Sequence, residues 1–486
     1  MKKSIVILAL LFATTLYSQN KKNYLDDLKI YREIIETSHT GMYLYTPKPE
    51  FDSLFVAAEK NINDDKIKNA RQFYILLAKL HTKLRCGHSS MFATKQIFSE
   101  IDSSSQAFFP YKVKFIKDTL VVADNYGEIK KGTQIISINN KSIKEITDDA
   151  FRIISSDGYN TTLKYHELDK DFAVKYFLLY GAAEEFSITI KPYLTNTTKE
   201  IKVPGIKGKE LPDENKEDTK PVDLQFIDDK TALLTIRTFE TRTNKNQKRY
   251  FKFLNSSFKQ IKEKNISTLI LDIRENGGGD DGNDMELASY LINKPFREDK
   301  YRKLNTIDLP LYPEYLHPSW YQFMGVPKNK SAAAIKAKMH SELLKEFYKA
   351  DDNHYYFKEK AIIKREPQKY LFTGKTYILI SGNVFSGGAL FSALVRDKTD
   401  AIFVGEETGG GYYRHTGTIP LFYELPNTGV VFSIFLVINE QDVDQKLVPD
   451  GRGIIPQIEI YPTVKDFVEG KDTVMDFIKT KIANTN

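Results

Sequence analysis

The sequence predicts an α/β protein with a helical N-terminal region, a β-rich middle segment and a core of parallel βαβ units. Three patterns carry the prediction: helical spacing of apolar residues near the N-terminus, alternating apolar and polar residues in the middle, and strands alternating with helices after residue 223. The chain has 486 residues, which is more than one ordinary domain holds, so two or three domains are expected.

The first residues, MKKSIVILALLFATTLYSQN, have the pattern of a secretory signal peptide. Lys2 and Lys3 precede an apolar run that is too short for a comfortable membrane span, and small and polar residues follow it. We therefore expect residues 1–18 to be removed and the mature chain to be periplasmic or extracellular, without a membrane span. A retained N-terminal anchor is the alternative, because Leu16 is an unusual residue ahead of a cleavage site.

The composition excludes several classes of protein. Hydrophobic residues make up 41% and aromatic residues 12% of the chain, which is enough for a large core. The net charge of +6 comes from interspersed acidic and basic residues, whereas a nucleic-acid-binding protein would concentrate basic residues on one face. Cys86 is the only cysteine, which excludes an intrachain disulfide and a metal site built on thiolates.

Residues 20–104 are expected to form the helical N-terminal region. Apolar residues recur there at helical spacing in two sets: Leu25, Leu28, Tyr31 and Ile35, then Phe73, Leu76, Leu77 and Leu80. The region closes with the segment LRCGHSSMF, in which His88 lies in a short Gly-His-Ser turn.

Residues 105–204 are expected to be rich in strands and turns. The segment FFPYKVKFIKDTLVVADN alternates apolar and polar residues on both sides of Lys117 and Asp118, as a β-hairpin does. The following segment, EIKKGTQIISINNKSIKEI, resembles the centre of a PDZ domain of bacterial proteases, with Thr133 and Asn140 where that family usually has Asp and Gly. Asn tolerates the left-handed conformation that such a turn needs. Another small β-rich domain is the alternative interpretation.

The rest of the chain is expected to hold a linker, the α/β core and a C-terminal helix or tail. Residues 205–222 are charged and nearly devoid of large apolar groups, as in a linker. Residues 223–465 contain the strand-like segments ALLTIRTFE, STLILDIR, TYILIS and AIFVGEE, separated by helical patterns. An aromatic-rich insertion, residues 296–370, interrupts this core and either walls a site or packs against the domain. Residues 466–486 close the chain.

The segment TYILISGNVFSGGALFSAL is the first candidate for a chemical role. A β-branched strand passes through a glycine turn into a helix, so Ser386 lies at the start of that helix. The positive end of the helix dipole favours negative charge there, and Gly387 leaves its N–H group accessible to an oxyanion. The alternative is a serine that only caps the helix.

The segment LILDIRENGGGDDGND is the second candidate. An apolar strand runs into Asn276 and the consecutive glycines Gly277, Gly278 and Gly279. Consecutive glycines let backbone N–H groups converge on an anion or an oxyanion. No GK[ST] sequence follows, so the loop is not expected to be a Walker-type nucleotide site.

These segments together resemble the catalytic core of the tail-specific, or C-terminal processing, peptidases and their tricorn relatives. The family has an Asn-Gly-Gly-type loop, a strand-turn-helix with the nucleophilic Ser, a Gly-Glu-Thr-like strand end and a closing Gly-Val-x-Pro-Asp segment. The matching parts here are DIRENGGG, SGNVFSGGA, VGEETGGG and PDGRGIIPQIEIYPT, in the same order, with Gln457 in place of the usual Asp. The resemblance implies a ClpP/crotonase-like fold and a serine peptidase that needs no cofactor or metal.

The resemblance also implies a general base, and here the sequence departs from the processing branch. That branch uses a Lys in the loop after the Gly-Glu strand, where this chain has Gly411 and no Lys in the loop. Tricorn-like members take a His from the region ahead of the PDZ-like domain, which corresponds to His88, although Gly87 replaces their preceding Ser. His415 is the alternative base, and His39 is interpreted as structural or substrate-facing.

The remaining roles follow from the same resemblance. Asp450 stands where the family places an acid, with Asp442 and Asp444 as nearby alternatives. The backbone N–H groups of Gly278 and Gly387, with Gly277 beside them, are expected to form the oxyanion hole. Ser386 would be the nucleophile and His88 the proton shuttle.

The expected substrate is an unfolded or C-terminally exposed polypeptide in the cell envelope, because PDZ-type modules add peptide strands to their sheet edge. No nucleic-acid partner is expected. The competing class is a non-catalytic envelope protein of the same fold that binds peptides or apolar ligands.

Overall fold

The computed structural model describes residues 2–94, 97–98, 107–211, 220–328 and 330–484, with only the backbone described for residues 2–19. The chain forms two compact units. Unit 1 contains residues 1–100, 303–358 and 416–438, and unit 2 contains residues 101–302, 359–415 and 439–486. The predicted signal peptide falls on residues whose side chains lie outside the described part. It stays a prediction, as do the predicted domain boundaries.

The helices are numbered in chain order. They are α1 (Lys2–Ser38), α2 (Lys48–Asn63), α3 (Ala70–His81), α4 (Ile143–Phe151), α5 (Thr162–Tyr180), α6 (Asn244–Glu263), α7 (Asn283–Ala288), α8 (Pro318–Phe323), α9 (Ala332–Glu346), α10 (Gly387–Lys398), α11 (Val464–Glu469) and α12 (Thr473–Ala483). Among the described residues, no helix combines the length and apolar character that a membrane crossing requires.

The strands are numbered in the same way. They are β1 (Met91–Phe92), β2 (Val113–Ile116), β3 (Thr119–Val122), β4 (Gln134–Ile138), β5 (Lys141–Ser142), β6 (Glu185–Lys191), β7 (Lys199–Pro204), β8 (Val222–Phe226), β9 (Thr231–Ile236), β10 (Thr268–Asp272), β11 (Phe296–Arg297), β12 (Asp299–Leu304), β13 (Phe347–Lys349), β14 (Tyr355–Phe357), β15 (Lys364–Arg365), β16 (Lys375–Ile380), β17 (Ile402–Gly405), β18 (Arg414–Glu424), β19 (Val431–Gln441) and β20 (Ile458–Glu459).

Unit 1 contains the predicted N-terminal helices α1, α2 and α3. The predicted apolar faces are largely buried, with Leu28, Tyr31 and Ile35 inside on α1 and Phe73 and Leu77 inside on α3. The helical region was expected to extend to residue 104, but the last of these helices ends at His81 and a 3-10 turn and strand β1 follow. The helical spacing of apolar residues ends there, because the polar turn residues around His88 offer no apolar face to bury.

The insertion contributes residues 303–358 to unit 1. It contains helix α9, which ends where β13 begins at Phe347. Trp320 is buried and donates its indole N–H to the carbonyl of Pro420 at 3.1 Å. A cavity of about 290 Å³ lies beside it, with an apolar wall that includes Ile335, Met339 and Leu343. The insertion thus packs its tryptophan into unit 1 and also leaves an apolar cavity.

The β-rich segment of unit 2 is an antiparallel sheet with the strand order β2-β3-β4-β6-β7. The predicted hairpin is confirmed, since β2 and β3 pair from Val113↔Val122 to Ile116↔Thr119. Asn140 has φ 64°, the left-handed conformation expected for it. Helices α4 and α5 were not predicted. For α5 the signal was the four-residue spacing of Leu168, Phe172 and Tyr176, which are buried in the core of this segment.

The predicted linker falls partly outside the described residues, which omit 212–219. Strand β7 ends before it at Pro204, and β8 begins at its last residue, Val222.

The core sheet of unit 2 has the strand order β20-β17-β16-β10-β9-β8. The strands from β20 to β9 are parallel, and β8 joins the edge antiparallel to β9. Helices α6, α7 and α10 cover one face, and α12 covers the other with Val474 and Ile478. Each fully buried aliphatic side chain contributes about 1.5–3 kcal/mol to folding. The predicted α/β core is confirmed.

This topology brings two candidate segments together. Strands β10 and β16 are parallel neighbours, with Asp272 paired to Leu379. The loops that follow them, one with the glycine run and the other with Ser386, therefore leave the sheet at the same edge. In open α/β sheets this carboxyl edge is where ligands bind.

Candidate active site

Ser386 lies between the turn that follows β16 and the first residue of helix α10. Its backbone has φ 49° and ψ −127°, a conformation that a residue with a side chain rarely adopts and that costs about 1–3 kcal/mol. The side chain is half-buried and makes no capping hydrogen bond to α10. The alternative interpretation of Ser386 as a capping serine is therefore wrong. Backbone strain at a residue that does not cap a helix is typical of a functional site.

Gly278 lies directly against the Ser386 turn. A methyl group on Gly278 would be 2.7 Å from the Gly387 nitrogen, 2.8 Å from Ser386 Cβ and 3.0 Å from the Phe385 carbonyl oxygen. Gly278 also has φ 99°, in the region that favours glycine. Only a residue without a side chain allows this approach of the two loops.

Asn276 joins the two loops through hydrogen bonds, a role that the sequence analysis did not predict. It is fully buried, and its carbonyl oxygen accepts the Phe385 N–H at 3.1 Å. Its side-chain oxygen accepts the Gly278 N–H at 2.9 Å, and its side-chain NH₂ donates to the Ile236 carbonyl at 3.2 Å. The position of Asn in the ENGGG run was the available signal.

The N–H groups of the predicted oxyanion hole differ in their present partners. The Gly278 N–H is engaged by Asn276. The Gly387 N–H, at the first residue of α10, makes no hydrogen bond within the described part of unit 2. The N-terminal end of a helix carries partial positive charge, so an anion beside Gly387 would be stabilised. Gly277 is open, since a methyl group on it would meet no atom within 4 Å.

Residues 406–411, named loop 406–411 below, follow β17 and pack on the Ser386 turn. The Glu406 N–H donates to the Ile380 carbonyl and the Gly410 N–H to the Val384 carbonyl, each at 3.1 Å. The Glu407 carboxylate accepts the Gly453 N–H at 2.7 Å and pairs with the Arg452 guanidinium. The closing segment thus holds the loop through Glu407.

His88 lies in unit 1, between a 3-10 turn and strand β1. The turn is held by backbone hydrogen bonds between Ser90 and Ser433, 3.3 Å and 2.8 Å long. The imidazole is half-buried and packs on the Phe435 ring at 5.2 Å between centroids. Burial lowers the pKa of His88 to about 4. The neutral form, which can accept a proton, is therefore the folded form at neutral pH.

The alternative histidines have different surroundings. His415 is buried in unit 2, and its Nε2 is 3.0 Å from the side-chain nitrogen of Asn439. His39 is fully buried in unit 1, where burial lowers its pKa to about 4. Both of its ring nitrogens are buried and make no hydrogen bond to the described residues.

The predicted acid Asp450 is exposed and forms an ion pair with Arg414. Its two oxygens accept hydrogen bonds from the Arg414 guanidinium. Of the nearby alternatives, Asp442 lies 3.6 Å from the Lys398 ammonium group, and the Asp444 side chain accepts the Lys446 N–H at 2.9 Å.

In unit 2 the structure brings together Ser386, Gly278 and Gly387. It pairs Asp450 with Arg414. Within the described residues of either unit taken alone, no three His, Cys, Asp or Glu side chains offer ligand atoms within 4.8 Å of one another.

Comparison with known proteins agrees with this geometry. Residues 230–460 match the model of peptidase family S41. Mature CPAF in complex with lactacystin superposes with a TM-score of 0.62 at 15% identity, covering 96% of this chain and 99% of that one. Another structure of mature CPAF gives a TM-score of 0.58 at 14% identity, covering 92% and 94%.

The photosystem II D1 C-terminal processing protease aligns more weakly, with a TM-score of 0.40 at 12% identity over 90% of this chain and 92% of that one. The search of curated proteins found no match. At these identities the superpositions on CPAF show a shared fold, and the family match covers the segments that hold the glycine loop, Ser386 and loop 406–411. Residues 230–460, a little under half of the chain, therefore match a peptidase family S41 domain, and this match supports a serine-type peptidase.

Proposed function

We propose that the chain is an exported endopeptidase that cleaves unfolded or C-terminally exposed polypeptides through an acyl-enzyme on Ser386. The observation that carries the proposal is the strained Ser386 backbone, φ 49°, at the start of α10 and against Gly278. A serine held in this way exposes its hydroxyl where the helix dipole stabilises negative charge. The support for export is the N-terminal signal pattern.

The reaction begins when Ser386 Oγ attacks the substrate carbonyl and its proton passes to a neutral base. We assign that base to His88, whose lowered pKa keeps the imidazole neutral at the pH of the cell envelope. The tetrahedral intermediate collapses as the C–N bond breaks, and the imidazolium returns its proton to the leaving amine. Water then hydrolyses the acyl-enzyme by the same proton transfers in reverse.

The oxyanion would accept a hydrogen bond first from the Gly387 N–H, which has no competing acceptor in the described part of unit 2. Gly278 and Gly277 are the further candidates, although the Gly278 N–H would have to be shared with the side-chain oxygen of Asn276. A donor of this kind contributes about 3 kcal/mol to transition-state stabilisation.

Asp450 is proposed as the supporting acid. Because its carboxylate pairs with Arg414, its support would be indirect, through the position of the start of strand β18, where Arg414 lies. The β-rich segment is proposed to bind extended peptides at a sheet edge, for which β2 and β7 are the terminal strands.

The test is cleavage mapping by mass spectrometry on a mixture of unfolded proteins, with the mature chain beside Ser386→Ala, His88→Ala and His415→Ala. We expect the wild type and His415→Ala to cleave, and the other two variants to lose cleavage. If His415→Ala loses cleavage and His88→Ala keeps it, the base is misassigned. If all the proteins give the same background, the peptidase proposal is wrong under those conditions.

A non-catalytic role in binding apolar ligands is the second candidate, and the cavity beside Trp320 is the observation that favours it. A serine-directed fluorophosphonate separates the two, because a binding protein has no activated hydroxyl. Covalent labelling at Ser386 that His88→Ala slows would support the peptidase, and absence of labelling would favour the binder.

A further inference from the structure

The segment that leads into α5 makes several hydrogen bonds to loop 406–411. We name residues 156–162 the clamp turn. Its Asn160 Nδ2 donates to the Thr408 carbonyl at 2.8 Å, and its Thr162 Oγ1 donates to the Glu407 carbonyl at 2.9 Å. In the other direction, the Gly411 N–H donates to Asp157 at 3.2 Å. The clamp turn therefore holds loop 406–411 near both of its ends.

Asn160 is itself held rigidly. It is 2% exposed, its Oδ1 accepts the Leu163 N–H at 3.0 Å, and its carbonyl accepts the Ser156 hydroxyl at 2.8 Å. The side-chain orientation follows from these partners, because a carbonyl can only accept and an N–H can only donate. A buried amide whose donor and acceptor are both used cannot be replaced without leaving a polar group unpaired.

Loop 406–411 also contacts the turn that contains Ser386. Gly410 bonds to Val384 in the Ser386 turn, and a methyl group on Gly410 would lie 3.2 Å from the Ser386 nitrogen and 3.3 Å from Phe385 Cα. The hydrogen bond joins the two backbones directly, and no side chain would fit between Gly410 and the Ser386 turn. Catalysis is sensitive to shifts of the nucleophile, since a misplacement of about 1 Å can cost roughly a hundredfold in rate.

We propose that the clamp turn positions Ser386 through loop 406–411, with Asn160 and Thr162 as positioning residues, an inference that rests on the proposed nucleophile. Neither side chain is assigned contact with the reacting atoms. The β-rich segment then serves the reaction by keeping the strained Ser386 turn in one geometry, whatever peptide it binds.

The first test compares Thr162→Val with two matched variants. Val keeps the shape of Thr but removes the hydroxyl that donates to Glu407 and accepts from Asn160 Nδ2. Thr162→Ser keeps the hydroxyl, and Thr161→Val makes the same change at an exposed neighbouring residue. The readouts are the second-order rate constant for fluorophosphonate labelling of Ser386, kcat and KM for a peptide, and the thermal unfolding midpoint. We expect Thr162→Val to slow labelling and kcat about tenfold, because a nucleophile displaced by a fraction of an ångström reacts more slowly. KM should change less than twofold, and Thr162→Ser should restore most of the rate.

The second test uses Asn160→Asp, which keeps the shape of the side chain. An ionised Asp cannot donate to the Thr408 carbonyl, whereas a protonated Asp can. We expect labelling to fall at least tenfold relative to wild type at pH 8, and the ratio of variant to wild-type rate to rise as the pH is lowered. A purely structural role would lower the unfolding midpoint without this recovery.

Equal labelling rates for Thr162→Val and Thr161→Val, with a pH-independent ratio for Asn160→Asp, would overturn the positioning inference. Wild-type labelling at Ser386 would leave the proposed function standing in that case. If the wild type itself is not labelled, the proposed nucleophile fails and the positioning inference fails with it.

Discussion

The Ser386 turn in unit 2 and the His88 turn in unit 1 are held by different physical means. Ser386 is held by backbone against backbone, since Gly278 and Gly410 approach it where no side chain would fit. His88 is held by contact with the Phe435 ring. Burial also lowers its pKa to about 4. An added methyl group should therefore displace the Ser386 turn and lower activity. A change of pH should instead alter the protonation of the buried histidines of unit 1 and, with it, stability.

The largest effect is expected at the nucleophile. Ser386→Ala should lower kcat/KM for a cleaved peptide by at least about 10⁴-fold, because the acyl-enzyme cannot form. Ser381→Ala in the same turn is the control. It removes a hydroxyl that bonds to the Arg274 carbonyl at 2.6 Å and should keep activity within about tenfold. Comparable rates for the two variants would remove Ser386 from the mechanism.

The next effect tests the backbone contact. Gly278→Ala should lower kcat/KM by about 10²–10³-fold, since the methyl group would meet the backbone of Phe385 and Gly387 and displace the oxyanion donor. Gly127→Ala isolates the cost of the left-handed conformation, because Gly127 has φ 57° and open space around it. That control should lose roughly 1 kcal/mol of stability and little activity. Full activity in Gly278→Ala would contradict the close-approach account.

The third prediction concerns the buried histidines of unit 1 and the pH dependence of stability. Burial lowers the pKa to about 4 for His39 and to about 3 for His81, below the value of about 6.5 in an unfolded chain. Between those values the unfolded state binds protons that the folded state does not. Stability is therefore complete above about pH 6.5 and falls as the pH drops toward 4, by roughly 3 kcal/mol per histidine.

Chemical denaturation at pH 7.5 and pH 5 measures this effect. His39→Leu should flatten the fall in the free energy of unfolding, whereas His340→Leu, at a side chain that is 43% exposed and 3.4 Å from Asp308, should not. A fall as steep in His39→Leu as in the wild type would assign the acid sensitivity to other groups.

The smallest effect is expected at Asp450. Its carboxylate is exposed and paired with Arg414, and an ion pair at a surface contributes about 0–1 kcal/mol. Asp450→Asn should therefore lower kcat/KM by about tenfold or less, and raised salt should reduce the difference from wild type. A loss as large as that of Ser386→Ala would instead mean that Asp450 orients the base directly.

Much of the fold was predictable from local pattern. The hairpin of β2 and β3, the helices of the N-terminal region and the parallel strands β9, β10, β16 and β17 each show their period in the sequence. Helices α4 and α5 were missed because the aromatic residues of α5 also suit strands, and Asp171 interrupts its helical backbone. The assignment of residues 303–358 to unit 1 depends on contacts far apart in sequence, which no local pattern records.

By itself, the sequence determined the order of the segments, the strand-turn-helix at Ser386 and the run of glycines after β10, because these depend on local spacing and on residues without side chains. Only the tertiary structure decided that Gly278 abuts Ser386, that Asn276 takes the Gly278 N–H, that Asp450 pairs with Arg414 and that Asn160 holds loop 406–411. Apart from the bond between Asn276 and Gly278, each of these contacts joins residues that are far apart in sequence. The packing of parallel strands and hydrogen bonds between separate loops bring them together. A linear pattern contains the donors and acceptors, but it does not say which of them meet.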